Sequence, residues 1–351
     1  MNLKSIISEI IPEGIKRKIR KIFTKRGKEK AFLKGYEMFL QTGKTPNEAH
    51  MALIDLYCLT NGEFNESFNK KIGLTNPPIN VDSDLSGVVG SFSLGKFADV
   101  NFKLNQKGYF HFDKKLSKEF CEKLYQFSLV TPTSIQSSDK KVLYDSENPM
   151  ADAYRFDMQD VINNPEIQQL VMDPVLLNIA RNYLNCEPIF DFVGLMWTTA
   201  FMKEPSARAA QLYHFDMDRV KWLKVFIYIN EVTLENGPHC YIEGSHKPGN
   251  KPDELLQRGY ARIKDEELLP LYRQADVKIV CGEAGSIMVG DTKCWHKGQN
   301  LKNGHRLILD FEYTSSLFGA NYPKLAVKNS TQAFKDFCKK NRIFASNIDF
   351  Q

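Results

Sequence analysis

Two imidazoles and one carboxylate are the side chains around which the chemistry of this chain can be built. His214-Phe215-Asp216 sets an imidazole and a carboxylate two positions apart, and about eighty positions later Trp295-His296 supplies a second imidazole, with Arg306 beyond it. Residues i and i+2 of a strand share one face. His214 and Asp216 therefore point the same way, and a neighbouring strand carrying His296 would complete three ligands on one side of a metal. Two imidazoles and a carboxylate on a single face, with the other positions open, form the arrangement used by non-haem iron(II) sites that activate dioxygen. A guanidinium on the next strand suits the distal carboxylate of a keto-diacid, which it grips through two parallel N–H bonds where Lys offers only a point charge. A salt bridge at the end of a barrel is the other use of an Arg there.

Such a site needs strands to hold it. Strand-like runs dominate the second half of the chain, at 188–199, 212–216, 223–229, 240–243, 279–280, 286–289 and 306–313, separated by Gly, Pro and Asn turns. Before them, Gly108-Tyr109-Phe110-His111-Phe112 reads as a short strand. Ser117-Lys118-Glu119-Phe120 opens a helix with a capping start, and 165–185 is helical in two pieces broken at Asp173-Pro174. Short strands after a helical lead-in indicate an antiparallel sandwich or barrel with helices packed outside. The fold class is mainly β with flanking helices.

The first hundred residues read differently. Residues 2–23 space apolar side chains helically between basic ones, in two pieces interrupted by Pro12 and Gly14. Residues 31–70 are helical, with Thr45 as the cap, Pro46 in the first turn and Leu53, Ile54, Leu56 and Tyr57 buried. A connector rich in Gly, Pro and Ser runs to about residue 100. The expected organisation is a helical N-terminal extension and connector over 1–100, a β domain over 101–320, and a C-terminal helix or tail over 321–351.

Composition narrows the function classes. With 42% hydrophobic residues, the chain can bury a sizeable core. Seven scattered cysteines without a CxxC pair give neither a disulfide framework nor a zinc knuckle, which fits a reducing cytoplasm. No apolar run reaches the length of a membrane span. Residues 1–30 carry ten Lys/Arg against three acids, so +7 of the overall +5 sits there and the remainder is −2. That stretch either lies on an anionic membrane surface, at the inner membrane for instance, holds an acidic partner, or packs on its own domain with a solvated basic face. Without aromatic interleaving it does not read as a nucleic-acid surface.

Gly108-Tyr109-Phe110, His214-Phe215-Asp216, Asn236-Gly237-Pro238-His239, Gly244-Ser245-His246-Lys247-Pro248-Gly249, Gly285 with Asp291, and Trp295-His296 with Asn300 and Arg306 occur in that order between about 105 and 318. In this the chain resembles the phytanoyl-CoA dioxygenase family of iron(II)/2-oxoglutarate oxygenases. The resemblance implies a double-stranded β-helix (jelly-roll) core, with His214, Asp216 and His296 on iron and Arg306 on the distal carboxylate of 2-oxoglutarate. It also implies oxidative decarboxylation of that cosubstrate by dioxygen, coupled to oxidation of a small molecule. In this family a small hydroxyl residue often stands two positions after the distal histidine and helps hold the carboxylate; Gly298 departs from that pattern. Lys224, Phe226 and Tyr228 share one strand face, and Lys224 or Tyr228 is the candidate for the missing donor. Met196 and Thr198 are further cosubstrate neighbours.

Asp216 argues for hydroxylation rather than halogenation, since related halogenases have a small residue at the ligand acid. Tyr213, Asp218, Arg219 and Trp295, which flank the ligands in the chain, are the substrate-facing candidates. The loops 131–165, 200–213 and 247–278 are long enough to cover a barrel mouth. Their polarity favours a hydroxylated or charged substrate, such as a sugar or surface-glycan precursor, over a bare fatty chain. An acyl or acyl-CoA substrate, and a barrel that binds without catalysis, are the rival readings. His239 and His246, flanking a glycine-rich turn, are assigned structural or rim roles, and Cys294 core packing. The sequence leaves the oligomeric state open.

Overall fold

The computed structural model describes residues 13–135, 138, 140–207 and 209–351, with side chains from residue 22 onward. Helix α1 (Glu13–Thr42) contains the second of the two basic pieces and runs straight through to the segment expected to be helical beyond residue 31; residues 2–12 lie outside the described residues. Helices α2 (Asn47–Thr60) and α3 (Glu63–Thr75) follow. Pro46 itself takes the capping position of α2, one residue later than expected, and the Thr45 hydroxyl instead accepts the Gly319 N–H at 3.0 Å. The connector is more ordered than its composition suggests. It holds a hairpin of β1 (Leu85–Gly87) and β2 (Gly90–Phe92), then helix α4 (Leu94–Lys107), capped by Ser93.

Strand β3 (Tyr109–Lys115) leads to α5 (Lys118–Val130), begun by Ser117, whose hydroxyl accepts the Phe120 N–H. The segment 131–165 contributes β4 (Thr133–Ser134), β5 (Ala153–Phe156) and the short helix α6 (Met158–Ile162). Helices α7 (Pro165–Val171) and α8 (Pro174–Leu184) part at Asp173-Pro174 as read from the sequence. Proline at the first turn of α8 cannot continue α7, and the Asp173 carboxylate accepts the Val175 and Leu176 N–H groups. Strands β6 (Ile189–Thr199), β7 (Trp222–Tyr228), β8 (His239–Ile242), β9 (Val277–Val280), β10 (Ser286–Gly290), β11 (His296–Gly298) and β12 (His305–Thr314) then build the core. Two one-turn helices, α9 (Asp253–Leu256) and α10 (Asp265–Leu268), lie between β8 and β9. The chain closes with β13 (Leu325–Val327), α11 (Gln332–Lys340) and β14 (Ile348–Phe350).

Two antiparallel sheets face each other, the sandwich that the strand pattern implied and the jelly roll that the family resemblance implied. The larger has the order β3-β10-β7-β12-β6-β5-β4, and the smaller is β11-β8-β9. The stretch around His214 extends the smaller sheet: His214 and His296 exchange N–H···O bonds of 3.0 and 2.9 Å, and Tyr213 pairs with Ile263.

Alternation sorts the side chains into three layers. Along β12, Leu307, Leu309, Phe311 and Tyr313 face the helices and join the main apolar cluster with α8 residues such as Leu176 and Ile179. Phe226, Tyr228, Tyr241, Met288 and Ile308 pack between the sheets. On the outer face of the smaller sheet, Tyr213, Phe215 and Trp295 share a cluster with Phe32, Leu53, Leu56, Tyr57 and Phe68 of α1–α3. The N-terminal helices thus close the face opposite the one that carries His214 and Asp216.

Candidate metal centre

Three side chains from two adjacent strands converge between the sheets. His214 Nε2 lies 3.7 Å from Asp216 Oδ1, and His296 Nε2 lies 3.8 Å from Asp216 Oδ2. One ligand atom from each of the three falls within 4.8 Å of the others, a group able to hold a metal ion. The backbone sets this spacing through the reciprocal His214–His296 bonds and through the Asp216 N–H donating to the Thr292 carbonyl at 2.8 Å. Each imidazole is aimed by its own second nitrogen. His214 Nδ1 meets the Leu212 carbonyl at 2.8 Å and His296 Nδ1 meets the Cys294 carbonyl at 3.0 Å, so Nδ1 carries the proton and Nε2 keeps its lone pair.

Electrostatics agree with that protonation. Burial, then the other imidazole, push His214 well below the ordinary histidine range, and burial lowers His296 as well. Burial alone would raise the Asp216 carboxyl. Lys224, whose Nζ donates to Oδ2 at 2.9 Å, and the two histidines outweigh it and keep Asp216 ionised. Neutral imidazoles beside an ionised carboxylate are the state a divalent metal requires.

Arg306 is the other end of the site. Its guanidinium is 3% exposed, donates through Nη1 to the Gly237 carbonyl, and has no carboxylate partner among the described residues, while its Nε is buried without an acceptor. Burial lowers its pKa. A buried, uncompensated guanidinium is costly, and a dianionic keto-acid reaching from the metal would compensate it. The donor set therefore fits iron(II) with 2-oxoglutarate.

Three of the residues expected beside that cosubstrate share the inner side of the larger sheet with Arg306. Thr198 pairs with Arg306 and Met196 with Ile308 across β6–β12, and Phe226 stands on β7 between the sheets. The two candidates for the missing distal donor do not serve. Lys224 pairs in register with Glu312, six residues and about 20 Å along β12 from Arg306, and its ammonium is spent on Asp216. The Tyr228 hydroxyl donates to the Val280 carbonyl at 2.8 Å and accepts the His239 N–H at 2.9 Å, so its proton is already used. At Gly298 a Cβ would lie 3.0 Å from Arg306 Nη2, so the guanidinium occupies the space a side chain would need.

Three substrate-facing expectations are corrected. Tyr213 and Trp295 are each 1% exposed and point to the outer cluster, because the residues beside the ligands alternate to the other face. Trp295 meets Phe215 edge-on at 5.0 Å between ring centres. Arg219 is sealed in a two-bond ion pair with Asp191, at 2.5 and 2.8 Å. Asp218 stays near the centre: burial, then the Asp216 charge, raise its carboxyl.

Three residues given no part in the site by the sequence also face inward. His239, assigned a structural or rim role, alternates with Tyr241 toward the lumen while Cys240 and Ile242 join the outer cluster, so it is buried inside the barrel and not at its rim. Asp310 and Glu312 continue the Arg306–Ile308 face of β12. Their signal was legible, two carboxylates in alternation with Leu309, Phe311 and Tyr313 in an otherwise apolar strand.

A jelly roll with this triad on its inner face and a buried guanidinium beyond it defines the iron- and 2-oxoglutarate-dependent oxygenases, which act with dioxygen. The family model described as Phytanoyl-CoA dioxygenase (PhyH) matches residues 104–306, over half of the chain, and the chain belongs to that family. No curated protein matches the sequence. Similar solved structures include HygX from Streptomyces hygroscopicus with nickel and 2-oxoglutarate bound (17% identity, 68% of this chain and 93% of that chain, TM-score 0.47). AviO1 from Streptomyces viridochromogenes Tue57 is 15% identical over 62% of this chain and 94% of that one, TM-score 0.39. SnoK, a carbocyclase from nogalamycin biosynthesis, is 15% identical over 61% and 82%, TM-score 0.42.

Proposed function

We propose that this oxygenase hydroxylates a polar small molecule, such as a sugar or a surface-glycan precursor, with His214, Asp216 and His296 holding iron(II) and Arg306 holding the distal carboxylate of 2-oxoglutarate. Iron(II) with 2-oxoglutarate and dioxygen supplies the oxidising equivalents. The chain's own residues fix the ligand atoms, orient the cosubstrate and shape the space beside the metal.

The observation that supports a polar substrate is the inner face on the Lys224 side of the centre, where Asp218, Asp310 and Glu312 gather around one ammonium. Lys224 lies 3.8 Å from Glu312 and 2.9 Å from Asp216. Burial raises Asp310 to about 6, and Glu312 Oε1 has no partner. Hydroxyl or ammonium groups would satisfy such oxygens. An acyl chain would leave them buried and unpaired, and the phosphates of CoA would bring further acceptors to oxygens that need donors. The test is 2-oxoglutarate turnover with iron(II) and ascorbate, read as succinate released, across a panel of sugars, nucleotide sugars and acyl-CoAs. Stimulation by sugars, lost in Asp310→Asn, supports the reading; stimulation by acyl-CoA alone overturns it.

We infer further that residues 1–30 carry peripheral contact with an anionic membrane surface. The local charge of +7 and the exposure of Ile22 and Phe23, 52% and 68%, support this. Among the described residues no helix is long and apolar enough to cross a membrane. Deleting residues 1–30 should lower sedimentation with phosphatidylglycerol vesicles and leave iron binding intact; equal sedimentation removes the idea.

A further inference from the structure

We propose that His239 donates a hydrogen bond to the distal carboxylate of 2-oxoglutarate, beside Arg306, in place of the side chain that position 298 lacks. The proposal rests on the reading of Arg306 given above. Three observations converge on it. His239 is the register partner of Gly298 across β8–β11, so it stands opposite the one position in that pair that has no side chain. His239 is 6% exposed and its imidazole lies between Phe226, 4.7 Å away, and His296, whose ring is parallel at 5.6 Å, on the inner face and opposite Gly298, where a Cβ would lie 3.0 Å from Arg306 Nη2. Its Nε2 is buried without any partner, as is Arg306 Nε.

A buried imidazole nitrogen able to carry a proton and a buried guanidinium Nε, both without partners, call for an anion between them, since buried polar groups left unpaired are rare and costly. The metal does not claim the imidazole: among the described residues the group able to share an ion is His214, Asp216 and His296, and His239 is not part of it. Of the neighbouring hydroxyls, that of Tyr228 is committed to Val280, and that of Tyr241, although unpartnered, lies against Gly290, which pairs with Lys224 at the far end of the sheet from Arg306. An imidazole carries at least one N–H to give in either protonation state.

The experiment is anaerobic titration of 2-oxoglutarate into the iron(II)-loaded protein, followed by the visible charge-transfer band of the chelate, and calorimetry with nickel(II) as a redox-silent metal. Wild type, His239→Leu, His239→Gln and Arg306→Met are compared. His239→Leu should weaken 2-oxoglutarate binding about tenfold or more, the size of one hydrogen bond to a charged acceptor. His239→Gln, which keeps a donor, should recover part of the loss. 2-Oxobutanoate, which lacks the distal carboxylate, should bind wild type and His239→Leu alike. Melting without cosubstrate should be unchanged or raised in His239→Leu, because the variant removes an unpaired buried polar group. Wild-type affinity in His239→Leu, or an equal loss for both keto-acids, overturns the proposal alone. Undiminished binding by Arg306→Met overturns the Arg306 reading and this proposal with it.

Discussion

Replacing Glu66 with Gln should unfasten the N-terminal helices from the strand that delivers His296. Glu66, on α3, accepts from Lys221 Nζ at 2.9 Å and from Lys293 Nζ at 2.8 Å, and Lys293 also lies 3.4 Å from Asp291. The Lys293 side chain is 1% exposed and that of Glu66 29%, so the pair is largely but not wholly shielded. Two charge-assisted bonds discounted for that exposure, with Asp291 still partnering Lys293, amount to about 2–3 kcal/mol. With a urea slope of about 2–3 kcal/mol per molar, the unfolding midpoint should fall by about 1 M at unchanged slope. Burial would raise the Glu66 carboxyl, but Lys293 and Lys221 hold it well below the usual range. A depressed folded pKa stabilises above the unfolded value of 4.5 and loses that stabilisation as pH falls below it. By about pH 3.5, roughly 1.4 kcal/mol of the difference between wild type and Glu66→Gln should be gone. Equal midpoints at pH 7, or a gap that does not narrow on acidification, would refute this account of how the helices are fastened.

Other outcomes follow from the same geometry. Arg306→Lys keeps the charge but loses the planar fork, and should raise the KM for 2-oxoglutarate about 10- to 100-fold with iron binding unchanged, as measured by succinate formation. Trp295→Ala should cost about 3–5 kcal/mol in denaturant unfolding, because it empties the outer cluster against Phe215 and Tyr57; a selective rise in substrate KM at full stability would return Trp295 to the mouth.

The ligand set was legible because strand alternation is a local property: His214 and Asp216 share a face wherever that strand goes, and the capping at Ser117 and Asp173 is equally local. The same rule, applied to neighbours, sorts Tyr213 and Trp295 to the other face, and adjacency in the chain misled where alternation would have corrected it. What could not be read is what depends on distant partners. Lys224 is a ligand to no cosubstrate because Asp216 folds back onto it from eight residues away. Arg219 is buried because Asp191 waits on β6. His239 looks like a turn histidine until β8 is laid beside β11 and its partner is seen to be Gly298. The N-terminal helices were readable as helices, but that they would cover the back of the sheet that carries His214 and His296 through Phe32, Tyr57 and Phe68 is a tertiary fact that periodicity does not contain.

The central claim is that His214, Asp216 and His296 hold one iron(II) that chelates 2-oxoglutarate. Anaerobic titration of wild type and Asp216→Ala with ferrous iron and 2-oxoglutarate, read by the charge-transfer band, tests it most directly. One chelate per wild-type chain and none in the variant are expected. An undiminished band in Asp216→Ala, or no band in the wild type, would contradict it.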